Sequence, residues 1–392
     1  MANSALDLFA ITAPGLEALT GVELHAMGIT PRELERGGVS WSGGIDDVYT
    51  ANLCLRTASR VLVRVATFRA STFFELERRA KRVPWSEYVS RGRPVRFRVT
   101  CRKSRLYHSG AVAQRLIEAV TQFTGDAELA DVARGEDEQD TPHAQLFVVR
   151  LDHDSVTISA DASGALLHRR GYRQATAKAP LRETMAAAIL LASGWDRHAP
   201  LVDPLCGSGT IAIEAALLAR NIAPGQNRSF AFVHWPHFDE GRWLLRRHRL
   251  REAELPRVPG VIRASDRDAG AVRAALDNAE RAGVEGDIDI SQRAISAIEP
   301  AGGKGWIVTN PPYGVRVGDA SVRNLYAQLG KVGMSKFPGW NVGLLSADPA
   351  LERQVGIKFD RLLQTSNGGI PVRFVLGVAA PTKTINRVIS TE

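Results

Sequence analysis

The alternation of apolar and polar positions changes rhythm near Leu181. Before it, short alternating stretches predict strands at Asp7 to Thr12, Val39 to Trp41, Val61 to Val65, Val95 to Thr100, Gln145 to Asp152 and Ser155 to Ala160. Helical spacing separates them at Pro14 to Met27, where Leu16, Leu19, Val22 and Leu24 form a stripe, and at Thr72 to Arg82 and Ser109 to Phe123. The turn at Asp152 to Asp154 predicts a hairpin between the last two strands. After Leu181, strands and helices alternate, the pattern of a parallel sheet covered on both faces. Strands are predicted at Leu201 to Asp203, Val261 to Ser265, Ile288 to Ser291, Trp306 to Thr309 and Trp340 to Ser346. Helices are predicted at Thr210 to Ala219 and Asp268 to Ala282. A closing hairpin from Phe359 to Gln364 and Val372 to Val378 turns at Asn367, Gly368 and Gly369. The fold class is therefore α/β, a C-terminal Rossmann-like sheet preceded by smaller α+β units.

A chain of 392 residues exceeds what one core usually holds, so two or three domains are expected. The divisions fall at 1–65, 66–164, a basic linker at 165–180, and 181–392. The stretch from Ile222 to Leu255 reads as an insertion in the last domain, its aromatics either lining an entry mouth or packing as a flap. Three cysteines, Cys54, Cys101 and Cys206, without a C-x-x-C pair imply neither a disulfide framework nor a structural metal. Met1 to Phe9 lacks a basic leader and no apolar run is long enough to span a bilayer, so a cytoplasmic location and no membrane partner are expected.

The net charge of +8 favours an acidic partner, and clustering adds weight to it. Arg91 to Arg105 holds seven Lys/Arg and no acid; Gly164 to Arg182 holds five, also without an acid; Arg242 to Arg251 holds five more. An acidic run at Asp126 to Asp140 opposes them. Any single run is as well explained by a solvated face; together they suit a phosphate-binding surface, with Arg96, Arg98, Arg102, Lys103, Arg105, Arg169, Arg170 and Arg173 as candidate contacts.

Two motifs carry chemistry. Asp203-Pro-Leu-Cys-Gly-Ser-Gly-Thr210 joins a strand to a helix, with glycines that let the backbone approach a ligand and a helix N-terminus behind them. No Gly-Lys-Ser/Thr follows, which excludes a P-loop. No acid stands about 20 residues on, which argues against a standard nicotinamide site. Asp266, at the end of the next strand, suits a ribose hydroxyl, although it could merely cap the following helix. The second motif, Asn310-Pro-Pro-Tyr313, ends a strand where open α/β sheets bind ligands. Each proline restrains the residue before it, so the Asn310 amide oxygen and the Pro311 carbonyl stand on a stiff frame. Both can accept hydrogen bonds from one planar amine and leave its lone pair free, while Tyr313 offers a face for stacking.

Together these motifs resemble the class I S-adenosylmethionine-dependent methyltransferases that act on exocyclic amines. Leu8-Phe-Ala-Ile-Thr-Ala-Pro-Gly-Leu16, Gly37-Gly-Val39, Ser104-Arg-Leu-Tyr-His108 and His168-Arg-Arg-Gly-Tyr-Arg173 resemble the ferredoxin-like plus THUMP module of bacterial guanine-N2 methyltransferases of large-subunit ribosomal RNA. The resemblance implies S-adenosylmethionine as cofactor, held by Asp203, Pro204, Cys206, Gly207, Ser208, Gly209, Thr210, Asp266 and Asn310. It implies Asn310, Pro311, Pro312 and Tyr313 as the clamp for a flipped guanine, and RNA as partner, ribosomal or transfer. Ala294 stands where relatives carry an acid for the adenine amine. Longer relatives carry a second methyltransferase domain; one is present here, so one modification is expected. An adenine-N6 DNA methyltransferase, a protein glutamine methyltransferase and an inactive RNA-binding protein remain as alternatives.

Overall fold

The computed structural model describes residues 5–124, 129–130, 144–174, 181–313 and 320–380. In chain order its elements are β1 (Leu6–Thr12), α1 (Glu17–Ala26), β2 (Glu33–Glu35), β3 (Gly38–Gly43), α2 (Ile45–Cys54), β4 (Ala58–Arg69), α3 (Phe73–Ala80), β5 (Val95–Arg102), α4 (Ser109–Thr124), β6 (Leu129–Ala130), β7 (Gln145–Asp152) and β8 (Ser155–Asp161). They continue with α5 (Glu183–Ala192), β9 (Leu201–Asp203), α6 (Thr210–Ala219), α7 (Glu240–Glu252), β10 (Ile262–Asp266), α8 (Ala269–Ala282), β11 (Ile288–Gln292), β12 (Trp306–Thr309), α9 (Ala320–Lys336), β13 (Asn341–Ser346), α10 (Pro349–Val355), β14 (Phe359–Asn367) and β15 (Ile370–Val378). The acidic run at Asp126 to Asp140 lies, apart from the short β6, outside the described residues, as do linker residues 175–180. No helix among the described residues is long and apolar enough to cross a membrane.

The chain forms two units. The first comprises residues up to Arg170 together with Ala223–Ala253, the second Gly171–Ile222 together with the residues from Glu254 on. The first is built on an eight-stranded sheet in the order β2-β3-β1-β4-β8-β7-β5-β6. The expected division at 65/66 falls inside β4, which pairs antiparallel with β1 and with β8, so both N-terminal stretches share one sheet. The β7–β8 hairpin turns through His153 and Asp154 alone, both at positive φ (51° and 62°), as a two-residue turn matched to strand twist requires.

The aromatics of residues 223–253 are packed, as the flap reading has it, but these residues belong to the first unit and not to the methyltransferase domain. Phe230, Phe232, Trp235 and Trp243 are buried in the core of the first unit. Tyr49 of α2 meets Phe232 at 4.8 Å and Trp243 at 5.5 Å between ring centroids. Trp235 donates its indole N–H to the Gln145 side-chain oxygen (2.9 Å), and the Tyr49 hydroxyl accepts from the Asp239 amide (3.3 Å). The physical reason is area: large aromatic rings gain most where they can be wholly covered, and α2 offers that face.

The second unit is a seven-stranded sheet ordered β11-β10-β9-β12-β13-β15-β14, parallel through β13 and closed by the expected antiparallel hairpin of β14 and β15. The strand order reverses direction between β9 and β12, which opens a crevice at their carboxyl ends. Every residue of α6 is buried, consistent with its almost wholly apolar sequence.

Candidate active site

Four strand ends build the site. After β9 the chain turns through Cys206 to Gly209, with Gly207 at φ 51° and Gly209 at φ 82°, a region that favours glycine. Gly209 is the residue preceding α6, and a methyl group there would come within 3.0 Å of the Ala275 Cβ on α8. At Gly207 a methyl group would meet nothing within 4 Å, so this side of the loop faces open space. The Gly207 amide donates to Asp266 Oδ2 (3.1 Å) at the end of β10, and the Asp268 amide donates to Asp266 Oδ1 (3.0 Å). Asp268, not Asp266, caps α8, accepting from the Ala271 amide at 2.7 Å. Asp266 instead fastens the glycine loop while lining the cleft.

Asp203 is 1% exposed and lies beneath the loop. Its Oδ1 accepts from the Thr309 hydroxyl (2.7 Å) and the Leu205 amide (3.2 Å). Burial pushes its carboxyl up to about 7; the Thr309 and Leu205 bonds oppose that rise and the charge of Asp266 adds to it. Thr309 immediately precedes Asn310, so this one bond ties the end of β9 to the second motif. Burial likewise raises the Cys206 thiol, which favours the neutral form and disfavours a thiolate role.

Asn310 follows β12. Its Oδ1 is buried and has no hydrogen-bond partner among the described residues, a costly state unless a ligand donor completes it. Pro311 is buried and Pro312 exposed. The Tyr313 hydroxyl accepts from the Asn367 side-chain amide (2.9 Å), which fixes the ring; burial raises the phenol pKa and the Asn367 bond opposes it. The cleft has a cavity volume of about 310 Å³ and is lined by Pro204, Asp266, Arg293, Ala294, Asn310 and Leu325, among others. That is the lower end of the range for small-ligand sites. At the position where an acid was missing, Ala294 does line the cleft, flanked by Arg293 and Ile295.

Sequence reading did not find Thr309, Asn367 or Asn278. The buried Asn278 on α8 donates to the Ser208 carbonyl (3.0 Å) and accepts from Arg281, whose Nε donates to the Tyr172 carbonyl (2.7 Å). The one signal for Asn278 is a polar residue on the buried stripe of α8, beside Ala275 and Ala279.

The candidate RNA contacts divide. Arg102, Lys103, Arg105 and Arg169 are exposed, and Arg96 and Arg98 half-buried on β5. Two expectations need correction. Arg170 is 4% exposed and donates to the carbonyls of Leu167 (2.8 Å) and Arg56 (2.7 Å). Arg173 donates to the Leu181 carbonyl (2.8 Å) and pairs with the buried Glu183 (2.9 Å). Both anchor the chain, because a guanidinium can satisfy several carbonyls that a tight connection leaves unpaired.

The open face at Gly207, the orphaned Asn310 oxygen and Asp266 at a strand end fit a bulky polar ligand such as S-adenosylmethionine. Residues 170–373 match the family described as RMKL-like, methyltransferase domain, and residues 7–62 match the RlmL ferredoxin-like domain. The ribosomal RNA large subunit methyltransferase K/L of Methylococcus capsulatus is 36% identical over 387 residues, 96% of this chain and 52% of that protein. The chain thus spans about half the length of the K/L relatives it matches. A predicted RNA methyltransferase of Synechocystis sp. is 34% identical over 366 residues, 93% of this chain and 94% of that protein. Among solved structures, SMU.472, a predicted methyltransferase complexed with S-adenosylhomocysteine, superposes with a TM-score of 0.84 at 30% identity, covering 97% of this chain and 100% of that one. The bound species there is the demethylated form of the cofactor, S-adenosylmethionine. With more than half its length in the family match and a relative similar across nearly its whole length, this chain belongs to the RMKL-like, S-adenosylmethionine-dependent methyltransferases.

Proposed function

We propose that the chain is an RNA methyltransferase that transfers one methyl group to the exocyclic N2 amine of a guanine, in large-subunit ribosomal RNA. The observation that carries the reading is the buried, unpartnered Asn310 Oδ1 at the end of β12. When bound, S-adenosylmethionine supplies an electrophilic methyl group on a positively charged sulfur. Gly207, Gly209 and Asp266 would hold it. Asn310 Oδ1 and the Pro311 carbonyl accept the two amine hydrogens and so orient the nitrogen lone pair. Methyl transfer would break the methyl–sulfur bond, leaving a neutral thioether, and build positive charge on the amine nitrogen; the same two oxygens would stabilise that charge electrostatically until solvent water takes the proton. Tyr313, fixed by Asn367, supports the base by stacking after it has left its helix. Asp203 and Thr309 act as positioning residues for the strand end.

The first unit acts in this reading as a THUMP-type RNA-binding module, using exposed Arg102, Lys103, Arg105 and Arg169 on phosphates. Guanine is favoured by the resemblance to ribosomal guanine methyltransferases; the same two-acceptor frame would hold an adenine N6 amine.

The test is incubation with labelled S-adenosylmethionine and unmodified ribosomal or transfer RNA, followed by mass spectrometry of the nucleosides. N2-methylguanosine in ribosomal RNA is expected, and methyladenosine would overturn the base assignment. Asn310→Ala should cost roughly 10²- to 10³-fold in kcat with cofactor affinity nearly intact. An equal loss of cofactor affinity would refute the assigned role.

A further inference from the structure

One end of the first unit carries an exposed feature that phosphate binding leaves unused. The loop after β5, the β7–β8 turn and the connection between β4 and α3 are fastened together there through Asp154. Its carbonyl accepts from the Ala70 amide (3.0 Å), its Oδ1 from the Arg105 amide (2.7 Å), and its own amide donates to Ser104 Oγ (3.0 Å). The His153 amide adds a bond to the Arg102 carbonyl (3.2 Å).

Two aromatic rings project from this frame. Tyr107, two residues beyond Arg105, is 81% exposed, and Phe74, in the first turn of α3, is 72% exposed. This contrasts with Trp41, Trp85, Phe97 and Phe147 of the same unit, all buried. Their backbones are fixed. Leu106 points inward, the Ala111 amide caps onto His108 Nδ1 (3.1 Å), and Glu75 accepts from both the amide and the hydroxyl of Ser71 ahead of α3.

Cations stand on the same stretches of chain. Arg69, Arg102, Lys103 and Arg105 are exposed, and none forms an ion pair among the described residues, although Arg102 lies near Asp152. The Arg78 guanidinium stands 5.8 Å from the Phe74 ring centroid. The neighbouring acids are engaged in the frame: Asp154 and Glu75 as described, Asp152 with His153 (2.7 Å) and Arg150 (3.2 Å).

We propose that this end of the unit is a stacking platform for unpaired RNA bases, with Tyr107 and Phe74 each taking a base and the arginines and lysine of these stretches taking the backbone. A duplex offers its phosphates to the cations but hides all base faces except those of its terminal pairs from the rings. A single strand offers both. The inference rests on the reading of the chain as an RNA-acting enzyme and deepens it by naming the form of RNA engaged.

The test is binding, without cofactor, of the full chain to a short fluorescein-labelled oligoadenylate and to a blunt RNA duplex of equal length. Tyr107→Ala and Phe74→Ala should each weaken oligoadenylate binding roughly 5-fold or more, with duplex binding and the salt slope unchanged. Tyr107→Phe should bind like the parent chain, since it keeps the ring. Unchanged thermal midpoints, expected for exposed side chains, confirm folding. Equal oligoadenylate binding by parent and alanine variants overturns the platform while leaving the methyltransferase reading intact. So does a dimer that the variants break without loss of RNA binding. A parent chain that binds neither RNA overturns both readings.

Discussion

Replacing Trp243 with alanine tests whether residues 223–253 belong energetically to the first unit. Trp243 is 7% exposed and its ring lies 5.5 Å from Tyr49, 5.7 Å from Phe230 and 5.1 Å from Phe232, centroid to centroid. Truncating a buried tryptophan to alanine typically costs about 3–5 kcal/mol through lost transfer energy and the cavity left behind. A domain is stable by only about 5–15 kcal/mol, so the first unit should lose a large fraction of its margin. The assay is amide hydrogen exchange read by mass spectrometry. Faster exchange is expected in α2, β4, β7 and β8, with β9, β10, β12 and α6 unchanged, and S-adenosylhomocysteine affinity preserved. Loss of protection confined to the second unit, or spread equally over both, would refute the assignment.

Three further outcomes follow from the site. Thr309→Val removes a hydrogen bond to Asp203 that favours the ionised carboxyl. Because the folded value of about 7 lies above the ordinary carboxylate range, Asp203 contributes stability at low pH that is lost as pH rises through about 7. The variant should raise that value further, so its deficit should grow from about 1 kcal/mol at acid pH to roughly 2–3 kcal/mol at alkaline pH, read from thermal midpoints. A deficit independent of pH would show that Asp203 does not titrate there. Gly209→Ala forces a side chain into left-handed backbone and against Ala275, so it should lower the thermal midpoint by the equivalent of about 1–2 kcal/mol or more. Gly207→Ala puts a side chain into the same left-handed backbone (φ 51°) but meets no protein atom, so it should lower the midpoint less than Gly209→Ala while weakening cofactor binding by calorimetry; unchanged cofactor affinity would misplace the cofactor.

Legibility in the sequence varied with the range of the interaction. The strands at 145–152 and 155–161 could be read almost to the residue, because alternation and a two-residue turn are local signals. The glycine loop at 206–209 was equally plain, since its left-handed backbone conformations are ones that glycine favours. The bond of Asp239 to Tyr49 joins positions 190 apart, and nothing in the periodicity of either segment names the other. Arg170 and Arg173 misled for a related reason. A basic run describes charge, whereas orientation depends on which carbonyls and carboxylates tertiary packing leaves to be satisfied.

By itself the sequence determined the parallel sheet and the glycine turn at 206–209, both of them consequences of local dihedral limits and side-chain period. Only the tertiary structure decided that Thr309 answers Asp203, that Phe74 and Tyr107 stand outside on one frame, and that 223–253 complete the first unit's core. Those outcomes depend on which buried groups and apolar faces meet across the chain, where burial and hydrogen-bond satisfaction select among arrangements that local preference leaves equal.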